Sequence, residues 1–453
     1  MFEVNIKIIS ELKFFLHSCS SDLNVLRVLR SSDTDFTRNR KLSFTRLVLF
    51  ICKLCKRTLS VELDQFFESD LGLNHTCSVA AFSLQRKKLS HCFFQFWNEL
   101  LCQSFYHYGQ ARGQVNTWHG MRLIAADGSG VSLISTPGLR NHFGGQTNQQ
   151  GHFTGAQAFF HYDVLNKLFT YSQLAPYRSA ELDMAWEAID RLPPDSICIY
   201  DRNFSTYKTI ALHQWTEAGH RFVIRAKERL KVVRAFLSTG LPSQVIMMYP
   251  AGPQAIEGMR KAGFIITPAT GLKVRLVRVT LPKGGTEVLF TNLWEEEGYG
   301  HELFGELYFM RWGVETAISM AKNLLQLESF SAQSVESVYQ DFYATVFMAN
   351  LAGLLVRGTE QQYRHRQLRR SGKTEVQRKW PVRINMNKAC GKLRGNLVRL
   401  FTYAEPGDIL ISLTRYFARH WVPVRKGRNF ERKRKNKQSN SKHKTFTNYK
   451  PAH

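Results

Sequence analysis

Three features of the 453-residue sequence predict an α/β protein: a mixed-sheet core with a helical N-terminal domain, a β-rich insertion and a basic C-terminal tail. Short apolar runs of β-prone residues, among them MRLIAADGSG and SICIYDRNF, alternate with amphipathic segments through the middle of the chain. A second β-prone region, Leu230 to Leu293, then interrupts this pattern just ahead of a helical stretch, Glu302 to Phe330. Charge is unevenly placed as well. The formal net charge is +26, yet from Gln361 onward 25 Lys and Arg face 4 Asp and Glu, leaving the first 360 residues nearly balanced.

The N-terminal region, residues 1 to about 115, reads as helical. In TRNRKLSFTRLVLFICKLCKR, Ser43 is placed to cap an apolar run, and Ser60, Glu62 and Asp64 open the next amphipathic segment. The cluster Arg86, Lys87 and Lys88 precedes an aromatic-rich helix. Short helices with cations at their starts suit a DNA-binding head, although they lack a clean helix-turn-helix pattern and equally suit an ordinary helical domain.

From MRLIAADGSG the period changes. This run ends in Asp127 at a turn, Gly128 to Gly130, and VSLISTP continues as a second extended segment. GHFTGAQAFFHYDVLNKLF is a third strand, ELDMAWEAIDRL a helix closed by Pro193 and Pro194, and SICIYDRNF a strand ending in Asp201. STYKTIALHQWTEAG follows as a helix with Ser205 as cap and Gly219 as terminator, then RFVIRAK as a strand. From about 230 to 293, SQVIMMYP, AGFIITPA, KVRLVRVTL and EVLFTNL read as strands split by Pro and Gly. Three domains follow: 1–115, 116–358 with its insertion, and 359–453, flexible beyond about 421.

No apolar run approaches the roughly 18 residues of a spanning helix, and Glu3, Lys7, Glu11 and Lys13 interrupt any leader-like core. The eight Cys form no framework. Cys52 and Cys55 make a single CxxC without a second ligand pair, so they read as core or free thiols, in keeping with a reducing cytoplasm. A basic tail on a folded body points to a polyanion, nucleic acid before a membrane surface. His142, His152 and His161 are scattered, and Gly144-Gly145 lacks the ending of a phosphate loop.

The stretch Glu302 to Phe330 carries the chemistry. Read as one long helix, it gathers Tyr308, Arg311, Glu315 and Lys322 on one side and Met310, Val314, Ala317, Ile318, Ala321, Leu324 and Leu325 on the other. Alone, the polar side is either a solvated salt-bridged face or a site. Asp127 and Asp201 alter the balance, because each ends an apolar strand, where α/β sheets place their sites. Taken singly, either Asp is more often a structural turn or cap residue than a catalytic one. With Glu315 they make three hard carboxylates suited to two Mg²⁺, or Mn²⁺, ions and phosphodiester chemistry. Arg311 and Lys322 would grip phosphate, Tyr308 would hydrogen-bond or stack, and Arg202 and Asn203 lie nearby as backbone contacts.

The spacing Tyr308-x2-Arg311-x3-Glu315-x6-Lys322, together with Asp127-Gly128-Ser129 and Asp201-Arg202-Asn203-Phe204, resembles the bacterial insertion-sequence transposases of the insertion-element-four family. The resemblance runs from about Asp35 to Ala418 and includes TRNRKLSF and SLQRKKLS. It implies a ribonuclease-H-like core and a catalytic triad of Asp127, Asp201 and Glu315 that binds the metal ions. It also implies cutting at terminal inverted repeats, strand transfer into double-stranded DNA, a homodimer that bridges two ends, and work at the bacterial nucleoid. Tyr308, Arg311, Lys322 and Trp312 would contact DNA. Arg202, Arg86, Lys87 and Lys88 are further candidates from their positions. One departure stands out: where relatives carry a Trp that holds a flipped base, four residues before Thr291, this chain has Glu287, so the platform would pass to Phe290 or Trp294, or the hairpin step would differ. The same carboxylates would serve a metal-dependent nuclease without strand transfer, whereas an inactive end-binding protein would be expected to have lost one of them.

Overall fold

A computed structural model describes residues 1–424 apart from 39, 55–56, 73–74, 149–150, 217–218, 282–283, 372–379 and 404. The basic tail with Arg425, Lys426, Arg428 and Arg432 to Lys435 therefore lies outside the described residues, as does Cys55. A helical N-terminal region precedes a mixed sheet. By contacts the chain forms two compact units, one of residues 116–130 and 157–318, the other of 1–115, 131–156 and 319 onward.

In the second of these, helices Phe2–Ser21, Phe44–Cys52, Leu59–Leu71, Val79–Arg86 and Cys92–Gln110 make the N-terminal region helical. Ser43 caps its helix by accepting from the Arg46 amide. The Trp97 ring stacks on Phe347 at 4.0 Å, and its indole N–H donates to the Leu12 carbonyl, so this large side chain is buried with its one donor satisfied. Further along, Met386–Arg394, Leu397–Thr402 and Pro406–Phe417 are helices, and Trp421–Pro423 pairs antiparallel with Val382–Ile384.

Among the described residues the sheet has nine strands: β1 (Arg122–Leu133), β2 (Gly145–Asn148), β3 (Gly151–Asp163), β4 (Leu168–Pro176), β5 (Ser196–Tyr200), β6 (Arg221–Arg225), β7 (Ser243–Met248), β8 (Leu272–Thr280) and β9 (Thr286–Thr291). Their order is β2-β3-β1-β5-β6-β9-β8-β7, with β4 on β3. β1, β5 and β6 are parallel, and β6, β9, β8 and β7 pair antiparallel. Alternation sorts the parallel strands into two buried faces. Ile124, Cys198, Tyr200, Phe222 and Ile224 join one apolar cluster, whereas Leu123, Ile197, Ile199 and Val223 join another with Phe304, Leu307 and Tyr308.

Several expectations need correction. The turn expected at Gly128 to Gly130 is absent, because β1 runs unbroken through it and neither glycine has a positive φ. Val164 to Lys167 form the turn of a hairpin, with Lys167 at φ 60°, and the unforeseen β4 begins at Leu168. The region 230–293 is not β throughout. Lys231–Thr239 and Pro253–Lys261 are helices, AGFIITPA forms no strand, and the remaining strands extend the central sheet. Thr206, rather than Ser205, caps helix Tyr207–Trp215.

The long helix is two, Phe304–Phe309 and Trp312–Asn323. At Met310 and Arg311 the ladder tightens to i→i+3 bonds, Arg311 N to Tyr308 O and Val314 N to Arg311 O. Gly313 sits at this break against Val164, whose Cγ1 would lie 3.1 Å from an added Cβ. The predicted apolar side is nonetheless the inner one: Val314, Ala317, Ile318, Ala321 and Leu325 are buried.

Candidate active site

The β1–β5 register pairs Arg122 with Ser196 through Ala125 with Ile199. Continued two residues further, it sets Asp127 level with Asp201; Asp201 directly follows β5, whereas Asp127 lies midway along β1 rather than at the strand end expected. By parity both fall on the sheet face covered by helix Phe304–Phe309. That helix and the break after it bring up Tyr308, Arg311 and Glu315.

Electrostatics register this convergence. The Asp127 carboxyl is pushed up to about 7, first by burial and then by the Glu181 charge; Arg311 opposes the rise, and Glu315 and Asp201 add to it. Arg311 is 7% exposed and donates from Nη2 to Glu315 Oε1 at 2.7 Å. Burial works against its charge, but this hydrogen bond and the neighbouring Tyr308, Glu315 and Asp127 hold its pKa above the ordinary value. Its Nε is buried with no hydrogen-bond partner. The guanidinium lies 5.4 Å from the Trp312 ring centroid, and that ring is half exposed. Tyr308 is 7% exposed, its hydroxyl pushed up to about 12 chiefly by burial.

Glu181, the first residue of helix Glu181–Ala188, was not foreseen. Its Oε1 accepts from the Gly128 amide at 2.8 Å and its Oε2 from Asn203 Nδ2 at 2.8 Å. Burial raises its pKa, against those two hydrogen bonds. In sequence it is indistinguishable from any acidic residue in a first helical turn; only tertiary structure gives it partners 53 and 22 residues away.

All these donors are hard oxygens, and the like charge that raises Asp127 fits a divalent cation better than a soft metal. Among the described residues, however, no three His, Cys, Asp or Glu are gathered at metal-holding distances. Asp201 Oδ1 accepts from the Asn203 amide at 2.7 Å, and Arg202 is exposed beside it. Lys322 belongs to the other unit, where its Nζ lies 3.6 Å from Glu328.

Of the N-terminal cations, Arg86 is a correction. It is 1% exposed and bonded to Gln340, Ser331, the Ser337 carbonyl and Asp341, so it is a buried strut and cannot reach DNA. Lys88 pairs with Asp35 at 3.2 Å, and Lys87 is exposed. Glu287 is 9% exposed and ion-paired with Arg225 at 3.0 Å. Phe290 is fully buried in the core and is excluded as a platform for a base, whereas Trp294 is partly exposed with Lys273 over its ring. Of the scattered histidines, His142 meets the Tyr339 hydroxyl, His152 meets Thr147, and both ring nitrogens of His161 are buried without partners.

A family model described as the transposase DDE domain matches residues 118–351, just over half of the chain. The putative transposase InsZ of Escherichia coli K12 is 26% identical over 99 residues, which are 21% of this chain and 33% of that protein. The chain thus matches about a third of that relative's length. Among solved structures, the piggyBac transposase synaptic complex with hairpin DNA aligns at TM-score 0.40 and 12% identity, covering 92% of this chain and 80% of that one. The family match encloses Asp127, Asp201 and Glu315 together with the sheet that carries the two Asp, and the chain belongs to the family of transposases with a DDE domain.

Proposed function

We propose that this protein cuts phosphodiester bonds at the terminal inverted repeats of its own insertion sequence and joins the freed 3′-hydroxyl ends to target DNA, on a ribonuclease-H-like core. The observation that carries the reading is the concentration of negative charge around Asp127, opposed there by Arg311. Asp127, Asp201 and Glu315 would hold the metal ions. When bound, two Mg²⁺ or Mn²⁺ ions would activate water or a 3′-hydroxyl and stabilise the leaving oxygen.

The remaining work falls to the chain itself. Arg311 offers a buried, unpartnered Nε alongside an Nη2 held by Glu315, a fork able to take a phosphate oxygen without first being desolvated. Tyr308 adds a hydroxyl from the same face, and Trp312 an exposed ring for stacking or backbone contact. Arg202 is an exposed cation of the same unit that would extend this grip along the backbone; in the other unit, Lys87 and Lys322, the latter by exchanging Glu328 for phosphate, would make DNA contacts of their own. Residues 1–115 would bind the element's ends, 116–358 would carry catalysis, and 359–453 would add sequence-independent affinity. Two chains would bridge two ends in the cytoplasm, at the nucleoid.

The test is incubation of purified protein with Mg²⁺ and DNA carrying the element's ends. Nicking at the ends and joining of pre-cleaved ends to target are expected. Binding without either reaction would overturn the reading, and nicking without joining would reduce it to a nuclease.

A further inference from the structure

We infer that Glu181 is a positioning residue that clasps the Asp127 segment of β1 to the Asp201 turn and so fixes the spacing of the two catalytic carboxylates. The inference rests on the function proposed above for Asp127 and Asp201.

The need for a clasp comes from the ladder. The β1–β5 pairing ends at Ala125 and Ile199, two residues before each Asp. Beyond that point no backbone bond of this ladder ties the strands, and neighbouring carboxylates repel each other. Glu181 bridges the gap. One of its oxygens takes the amide of Gly128, which also reaches Asp127 Oδ1 at 3.1 Å. The other takes the side-chain amide of Asn203, whose backbone N–H is bound by Asp201 Oδ1. The connection therefore runs from Asp127 through Gly128, Glu181 and Asn203 to Asp201, with each catalytic Asp bonded to a member of the clasp. Lys227 Nζ donates to the Asn203 carbonyl at 3.3 Å and steadies the far end.

Gly128 supplies an independent observation. Its φ is not positive, so no turn demands glycine here. A Cβ at this position would lie 2.5 Å from Glu181 Oε1 and 2.9 Å from Cγ. Any larger residue here would have to push the Glu181 side chain aside, so glycine leaves room for its close approach. A first-turn Glu that merely served its own helix would make no hydrogen bonds to residues 53 and 22 positions away.

The experiment compares Glu181→Ala, Glu181→Gln, Asn203→Ala and the Glu181→Ala/Asn203→Ala double variant in the full chain. Glu181→Ala should slow nicking 10- to 100-fold at saturating Mg²⁺ and DNA, with melting temperature and end binding unchanged, since small misplacements of reacting groups cost about that much. Glu181→Gln should restore the rate to within a few-fold, because its amide oxygen still accepts from Gly128 and Asn203 can turn to meet its amide nitrogen. The double variant should be no slower than the slower single. Hydrogen exchange of the Gly128 amide, read in the metal-free protein, should speed at least tenfold in Glu181→Ala and stay slow in Glu181→Gln. Unchanged nicking or unchanged exchange in Glu181→Ala would overturn the clasp. So would a Glu181→Gln variant as inactive as Glu315→Gln, since that would make Glu181 a ligand. Should Glu181→Ala fail to fold, Gly128→Ala must reproduce the slowed nicking and faster exchange by displacing Glu181, or the inference fails. A wild-type chain that shows the protected Gly128 amide but no nicking would instead remove the proposed function and leave the clasp standing.

Discussion

Glu315 accepts from Arg311 at 2.7 Å, so its carboxylate has two competing uses, as ion-pair partner and as proposed metal ligand. Replacing it with Gln keeps a hydrogen-bond acceptor for Arg311 and removes the charge. Glu315→Gln should therefore abolish nicking while end binding, followed by gel shift, stays within about threefold; joint loss of binding and nicking would make Glu315 structural. At this scale the sequence was informative where chemistry lies in local spacing. Asp201, Arg311 and Glu315 could be singled out, because a strand end and an i,i+4 pair are visible in a string of letters; Asp127 stands out too, but as the end of a strand that in fact runs on to Leu133. Glu181 could not, since its partners are 53 and 22 residues distant. Arg86 misled for the converse reason: a basic triplet looks solvent-facing, and only the fold shows the first of the three turned inward.

Arg86 belongs equally to the element scale, where it ties helix Val79–Arg86 to the 331–341 segment through four hydrogen bonds. Truncation would leave the Asp341 carboxylate, 13% exposed, without its cation. Arg86→Ala should lower the free energy of unfolding by about 3–5 kcal/mol, measured by urea titration, and should not alter the salt dependence of DNA binding. The broken helix at Met310 and Arg311 was hidden for a different reason. Its residues are good helix formers, and what departs from the α ladder is a tightened pair of backbone bonds next to Gly313, where the chain closes on Val164. The 230–293 region was misread because short apolar runs do not distinguish a strand from a half-buried helix, as Lys231–Thr239 illustrates.

For the whole molecule, charge and buried histidines make separate predictions. Residues 425–453 carry eleven Lys and Arg against a single Glu. Removing them should flatten the dependence of DNA affinity on salt, visible as a smaller slope of log K against log salt. His161 and His213 are buried, their pKa values lowered to about 3 by burial and then by His220, which burial also lowers. A folded pKa below the unfolded one means that the unfolded chain binds more protons. Stability is then intact above about pH 6.5 and falls as pH drops toward 3. The loss amounts to several kcal/mol, since each tenfold difference in proton affinity between the two states is worth roughly 1.4 kcal/mol. Urea midpoints that stay level from pH 7 to 4.5 would contradict this. The pairing of β9 with β6 has a consequence for dissection of the protein. Because β7, β8 and β9 are stitched to the parallel strands and Phe290 lies in the shared core, residues 230–293 are no detachable accessory. Excising them would strip the outer edge of β6 and uncover its apolar neighbours, so a shortened chain should appear in inclusion bodies rather than as a smaller working enzyme.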